Sequence, residues 1–188
     1  MTATFAFEHV FRAPDPATLF ALYFDPTHGA TQDAATGIAA REVLEVTDGE
    51  TEYRRVCRVT PHRQLPAFMR PFFPRKLHYL EEAIWRRPAD QIDIEIRPSI
   101  LGGRAQISSV YRLETVGPGL VRRTYTGSVS VEVALVGGRI ERGMLRDLER
   151  SLVSCAACTQ DYLDRQHPAP PASPDQNLAG AYGTPRGR

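Results

Sequence analysis

With 188 residues and 42% hydrophobic content the chain can bury one sizeable core, and its length favours one domain over two. Its 23 basic and 22 acidic residues leave a formal net charge of +1, which excludes a general attraction to nucleic acid or anionic membrane. Cys57, Cys155 and Cys158 are too few to staple a secreted fold, Met1 to Phe11 has no basic signal-peptide start, and no run of about 18 apolar residues is present to span a membrane, so a cytoplasmic protein is expected.

Thr4 to Phe11 alternates, placing Phe5, Phe7, His9 and Phe11 on one side, and predicts a half-buried first strand. Two readings of His9 stand: a base or ligand contact in a cavity, or a hydrogen-bonded histidine of the core or edge. Pro14 and Pro16 break the strand, and Asp15 can cap a helix that carries Leu19, Phe20, Leu22 and Tyr23. After Asp25-Pro26, residues 27 to 36 form a second short turn or helix. Asp25 and His28 invite a metal or catalytic reading, but no third ligand has a useful spacing, so a turn-capping pair is expected.

Strands follow over 39–46 and 51–60, joined by the Asp48-Gly49 turn. The stretch Pro61 to Pro74 is an unusual apolar loop containing Phe68, Met69, Phe72 and Phe73 among prolines. It reads as a lid over a cavity, as a contact for a membrane or partner, or as a plug of the core. Residues 75–86 form the next strand, with Tyr79, Glu81, Ala83 and Trp85 on one face and apolar residues on the other, so its inward side is open. If the Trp85 face is inward, Glu81 is a carboxylate in an apolar interior, where burial raises its pKa and suits it to act as a general acid or a ligand anchor. In the opposing reading it faces solvent or pairs with a neighbouring arginine.

Residues 91–98 alternate Ile92, Ile94 and Ile96 with charged neighbours, and 104–115 and 120–135 form the last two strands around a Gly117-Pro118-Gly119 turn. Ser109, Tyr111 and Tyr125 offer hydroxyls to a ligand, or are ordinary sheet residues with satisfied hydroxyls. A long helix closes the domain over 139–166, its apolar stripe running through Ile140, Met144, Leu148, Leu152, Cys155 and Tyr162. Met144, Leu148, Ser151, Leu152 and Cys155 are expected to face the interior. Cys155 and Cys158 have redox-motif spacing, yet they sit in the C-terminal half of the helix, where the dipole opposes a thiolate, so small packed residues are expected. Residues 167–188 turn to Pro, Ala, Gly and Ser and read as a disordered tail outside a domain of residues 1–166.

The run Val133-Ala134-Leu135-Val136-Gly137-Gly138-Arg139-Ile140-Glu141 is a strand end, a double-glycine bend and a helix start, with Glu141 in the first turn. It resembles the junction of an uncharacterised bacterial family in the START and birch-pollen-allergen-like superfamily of polyketide cyclase/dehydrase and lipid transport proteins, with Ala134 in place of that family's proline. The resemblance extends over about residues 4 to 165. It implies an α+β helix-grip: a curved antiparallel sheet of about seven strands around the C-terminal helix, two short helices after the first strand, and a cavity between sheet and helix. Runs of strands followed by one helix indicate α+β independently.

Neither a catalytic triad, a phosphate loop nor a metal cluster is written in the chain, so no cofactor or metal is expected. The expected function is carriage of an apolar small molecule, lipid or polyketide-like, in that cavity. Its expected contacts are Phe7, His9, Phe68, Met69, Phe72, Phe73, Tyr79, Glu81, Trp85, Ser109, Tyr111, Tyr125, Met144, Leu148, Ser151 and Leu152. The alternatives are a cyclase, dehydratase or hydrolase using Glu81 with His9, Tyr79 or Tyr111, and an interaction module whose membrane or protein contact is the 61–74 loop.

Overall fold

A computed structural model describes residues 2–62, 77–99, 101–133 and 137–166. The chain runs β1 (Thr2–Arg12), α1 (Pro16–Phe24), α2 (Pro26–Thr36), β2 (Ile38–Asp48), β3 (Glu52–Pro61), β4 (Tyr79–Arg86), β5 (Gln91–Pro98), β6 (Ala105–Gly117), β7 (Leu120–Val131) and α3 (Gly137–Gln166). The seven strands form one antiparallel sheet in the order β1-β7-β6-β5-β4-β3-β2. Strands β2 to β7 follow one another as a meander; α1 and α2 carry the chain from β1 at one edge to β2 at the other. This is the α+β helix-grip architecture that the resemblance implies.

Local chemistry sets the two short helices. Asp15 accepts the Thr18 backbone N–H at 2.8 Å and Pro16 opens α1. Asp25 does the same for α2, accepting from His28 N at 2.6 Å, with Pro26 at its first position. Gly37, at φ 71°, ends α2 in the left-handed conformation that a side chain would resist. The segment predicted as a turn or helix after Asp25 is therefore an 11-residue helix.

Gly127 of β7 lies opposite Ser109 of β6 in a close approach of backbone and ring. A Cβ there would lie 2.2 Å from the Ser108 carbonyl oxygen and 2.8 Å from the Phe5 ring, so only glycine fits. The helix α3 lies on β1, β7 and α2. The opposite end of the concave face is less covered: Val43 and Val46, on the inner side of edge strand β2, are 55% and 50% exposed.

The junction into α3 is tightly built. Gly137 approaches the end of β7 so closely that a Cβ would meet the Val131 carbonyl oxygen at 2.7 Å. Glu141, only 3% exposed, accepts the Val131 backbone N–H at 3.0 Å and stitches helix to strand. Because the helix begins at Gly137, earlier than the expected residue 139, Glu141 lies just past the first turn. The last strand correspondingly stops at Val131 rather than residue 135, and β4 starts at Tyr79 rather than residue 75.

Among the described residues three packed clusters make the core. One joins Ala105, Ile107, Val129, Val131 and Ile140, with Met144, Leu145 and Leu148 against it. A second joins Phe11, Leu19, Leu22, Val121, Ala156 and Leu163. The third joins Phe20, Ala83, Ile92, Ile94 and Tyr111, with Trp85 stacked on Phe20 at 5.3 Å. Each large side chain fully buried here contributes roughly 1.5–3 kcal/mol. The third cluster resolves the register left open for β4: the Trp85 face is inward.

Candidate functional site

A cavity of about 60 Å³ lies where α3 leaves its first core cluster. Leu152, Cys155 and Thr159 reach it from α3, spaced by three and four residues so that they share one helix face. Phe11, Tyr111, Arg123 and Tyr125 reach it from β1, β6 and β7, because alternate strand residues point the same way. Leu19, Leu22 and Tyr23 from α1, with His28 and Gln32 from α2, complete the wall.

The polar groups here fall into two sets. In the first, His28 Nδ1 lies 2.8 Å from the Leu22 carbonyl oxygen and Nε2 lies 3.1 Å from Thr159 Oγ1. Burial lowers the His28 pKa below its ordinary value, so the ring is neutral, donates through Nδ1 and keeps Nε2 as an acceptor. Gln32 donates to the same Thr159 hydroxyl at 3.0 Å, and that hydroxyl also lies 2.8 Å from the Cys155 carbonyl oxygen.

The second set centres on Arg123. Its Nη2 donates to His9 Nδ1 at 3.0 Å and to the Leu152 carbonyl oxygen at 3.3 Å, while its guanidinium carbon sits 5.1 Å from the Phe11 ring centroid. Burial and then the Arg123 charge lower the His9 pKa, keeping that ring neutral and able to accept. Burial raises the pKa of Tyr23, Tyr111 and Tyr125, and pushes the Cys155 thiol up to about 11. The wall at neutral pH is thus apolar rings, neutral hydroxyls, a thiol and one cation. Among the described residues no group of three or more His, Cys, Asp and Glu is placed to hold a metal, and no helix is long and apolar enough to cross a membrane.

The profile of the family described as "Protein of unknown function (DUF2505)" matches residues 7–163. The chain belongs to that family. Its fold is shared with the protein TTHA0849 from Thermus thermophilus, at 14% identity and TM-score 0.62, covering 88% of this chain and 99% of that one. It is shared also with the Zhui aromatase/cyclase from Streptomyces sp. R1128, at 15% identity and TM-score 0.65, covering 88% and 96%. A START superfamily protein from Mycobacterium smegmatis matches at 11% identity and TM-score 0.58, covering 87% and 98%. At such identities the likeness is one of fold alone. No curated protein matches the chain.

Within the DUF2505 fold, three of the expected contacts, Tyr111, Tyr125 and Leu152, line the cavity. His9 stands behind it, holding Arg123 rather than facing the space. Phe7 stacks with Phe5 at 5.4 Å, outside the lining. Ser109 is buried on the inner face of β6 opposite Gly127 and is not part of the wall. Met144 and Leu148 pack into the filled cluster at the other end of α3, and half-buried Ser151 is also outside the lining, because the cavity begins further along the helix.

Tyr79, Glu81 and Trp85 point inward from β4 but are not among the residues that line the cavity, although the Glu81 charge reaches Tyr23, Tyr125 and Cys155 of its wall. Glu81, with its side chain 13% exposed, accepts from Arg41 Nη1 at 2.6 Å, and Arg41 also grips Asp33 through Nε at 3.0 Å. The two environments open to Glu81 therefore coincide: it is inward and it is paired with an arginine. Phe68, Met69, Phe72 and Phe73 lie outside the described residues.

The pattern of residues did not single out Tyr23, Gln32, Arg123 or Thr159, and it assigned His28 to capping alone. His28 does both, its backbone N–H capped by Asp25 and its ring buried against α3. One signal was present: Arg123 has the same strand parity as Val121, Tyr125, Val129 and Val131, a charge written into a dry face.

Proposed function

We propose that the chain binds and carries a mainly apolar small molecule, lipid or polyketide-like, whose end enters the cavity between α3 and the β6–β7 face, and that it does so in the cytoplasm. The observation that carries this is the composition of the wall: Phe11, Leu19, Leu22 and Leu152 supply apolar surface, while Tyr111, Tyr125 and Arg123 converge on the same space. The shared fold with an aromatase/cyclase supports it. A cavity of about 60 Å³ is smaller than the roughly 150 Å³ that accepts benzene, so it receives one end of a ligand rather than a whole lipid.

The enzymatic alternative is weaker on this geometry. Of the groups it would use, only Tyr111 lines the cavity, and Glu81 is tied to Arg41. The reading of 61–74 as an interaction surface rests on residues that are mostly outside those described.

Thermal shift of the full chain against fatty acids, sterols and polycyclic phenols tests carriage, with native mass spectrometry of freshly purified protein. A ligand at a hundred times its Kd adds about 2.7 kcal/mol, which raises Tm by roughly 5–10 °C for a domain of this size. Leu152→Phe, which fills the cavity, should remove the shift, and Val153→Phe on the exposed side of the helix should keep it. A shift that survives Leu152→Phe, or no shift with any compound, overturns the reading.

A further inference from the structure

The cavity presents a cation without a partner anion among the described residues. Arg123 is 5% exposed, and no described carboxylate forms an ion pair with it. A guanidinium has five N–H donors. Two, on Nη2, go to His9 Nδ1 and the Leu152 carbonyl oxygen, neither of which carries a charge. Nε is buried with no hydrogen-bond partner, and Nη1 makes none among the described residues. Contact with the Phe11 and Tyr125 rings offsets part of the cost, but ring faces do not satisfy N–H donors.

A buried charge left this way is costly, and a site retains one where an incoming group completes it. The local arrangement fits that role. His9 and the end of the Leu152 turn hold Nη2 and so fix the plane of the guanidinium, leaving the other donors for a ligand. Arg41 shows the contrast, since it is engaged by both Asp33 and Glu81.

We propose that Arg123 is the anchor for an anionic head group, specifically the carboxylate of an aromatic or aliphatic acid, with the Tyr111 and Tyr125 rings flanking it. This rests on the cavity-binding reading above and specifies the end of the ligand that enters. A volume of about 60 Å³ suits a carboxylate with the first atoms behind it. Guanidinium and carboxylate then form charge-assisted hydrogen bonds in surroundings of low dielectric, where they are strongest.

The test compares naphthoate with naphthalenemethanol, a neutral probe of similar shape, by calorimetric titration of the full chain near neutral pH. Wild type should bind naphthoate at least about tenfold more tightly, a difference of about 1.4 kcal/mol. Arg123→Met should erase that preference while still binding the alcohol, and Arg123→Lys should restore part of it. Carbon NMR of carboxyl-labelled naphthoate on wild type alone should show a bound carboxyl resonance displaced by excess unlabelled naphthoate, so the proposal is testable even if the methionine variant fails to fold. Equal affinity of wild type for the two probes overturns the anion site and leaves the apolar cavity standing. Preference retained in Arg123→Met overturns it as well, and binding of neither probe overturns both.

Discussion

The two halves of α3 meet the sheet in different ways. Its first turns bury Ile140 and set Met144, Leu145 and Leu148 on Ile107, Val129 and Val131, a filled apolar cluster. Its later turns present Leu152, Cys155 and Thr159 to a cavity that also holds Arg123, His28 and three tyrosines. One continuous amphipathic helix thus serves as a wedge at one end and a wall at the other. What differs is the facing sheet: small and branched aliphatic side chains interdigitate with the first half, whereas an arginine and bulky tyrosines with polar ends hold the second half apart. Stability should reside mainly in the filled half and binding in the hollow one.

The most severe break of this contrast lies at its boundary. Gly127→Val puts a Cβ and two methyls into the Ser108 carbonyl and the Phe5 ring, contacts made of backbone and packed ring that have no room to yield. Loss of cooperative thermal unfolding by circular dichroism is expected; a variant that melts like wild type would show that the sheet does not need this close approach.

A more graded test uses two residues of equal burial, Ile140 and Leu152, each 7% exposed. Ile140→Ala should cost about 2–4 kcal/mol in urea denaturation, as expected for a new hole in packed surroundings. Leu152→Ala should cost less, about 1–2 kcal/mol, since a side chain beside an existing void already lacks partners on one side. Equal costs would erase the distinction between filled and hollow halves.

The smallest effect is a pH dependence confined to the hollow half. Burial holds His28 below the ordinary histidine pKa of 6.5, so the unfolded chain binds a proton that the folded chain resists. Its contribution is complete above pH 6.5 and is lost as pH falls toward the depressed folded value, with a slope of at most about 1.4 kcal/mol per pH unit. His9 is lowered in the same direction, so the informative quantity is the difference between wild type and His28→Gln. Denaturation midpoints should converge as pH falls below 6.5, the ordinary histidine value; a constant difference would mean that His28 is not held neutral by its burial.

Much of the fold was legible in the order of residues. The alternation of β1, the Asp48-Gly49 turn, the helix caps at Asp15 and Asp25 and the stripe of α3 are all local, and periodicity records which side of an element is dry. The glycines and Glu141 of the β7–α3 junction were legible for a similar reason, since a close approach and a helix start demand particular residue types. The site was less so. Tyr111, Tyr125 and Leu152 were named because they sit on dry faces, but the same criterion named Met144, Leu148 and Phe7, which pack outside the cavity.

Periodicity determines that a residue points inward; only the tertiary structure decides whether it meets another side chain or a space. Glu81 and Arg123 show why. Each is a charge on an inward face, and the sequence alone assigned the chemical interest to Glu81. Folding brings Arg41 from edge strand β2, 40 residues away, to within 2.6 Å of Glu81 as an ion-pair partner, while Arg123 receives His9, a neutral ring, and a carbonyl oxygen. The partner of a buried charge is set by strand order and register, which bring together residues distant in the chain, and that is information no local pattern contains.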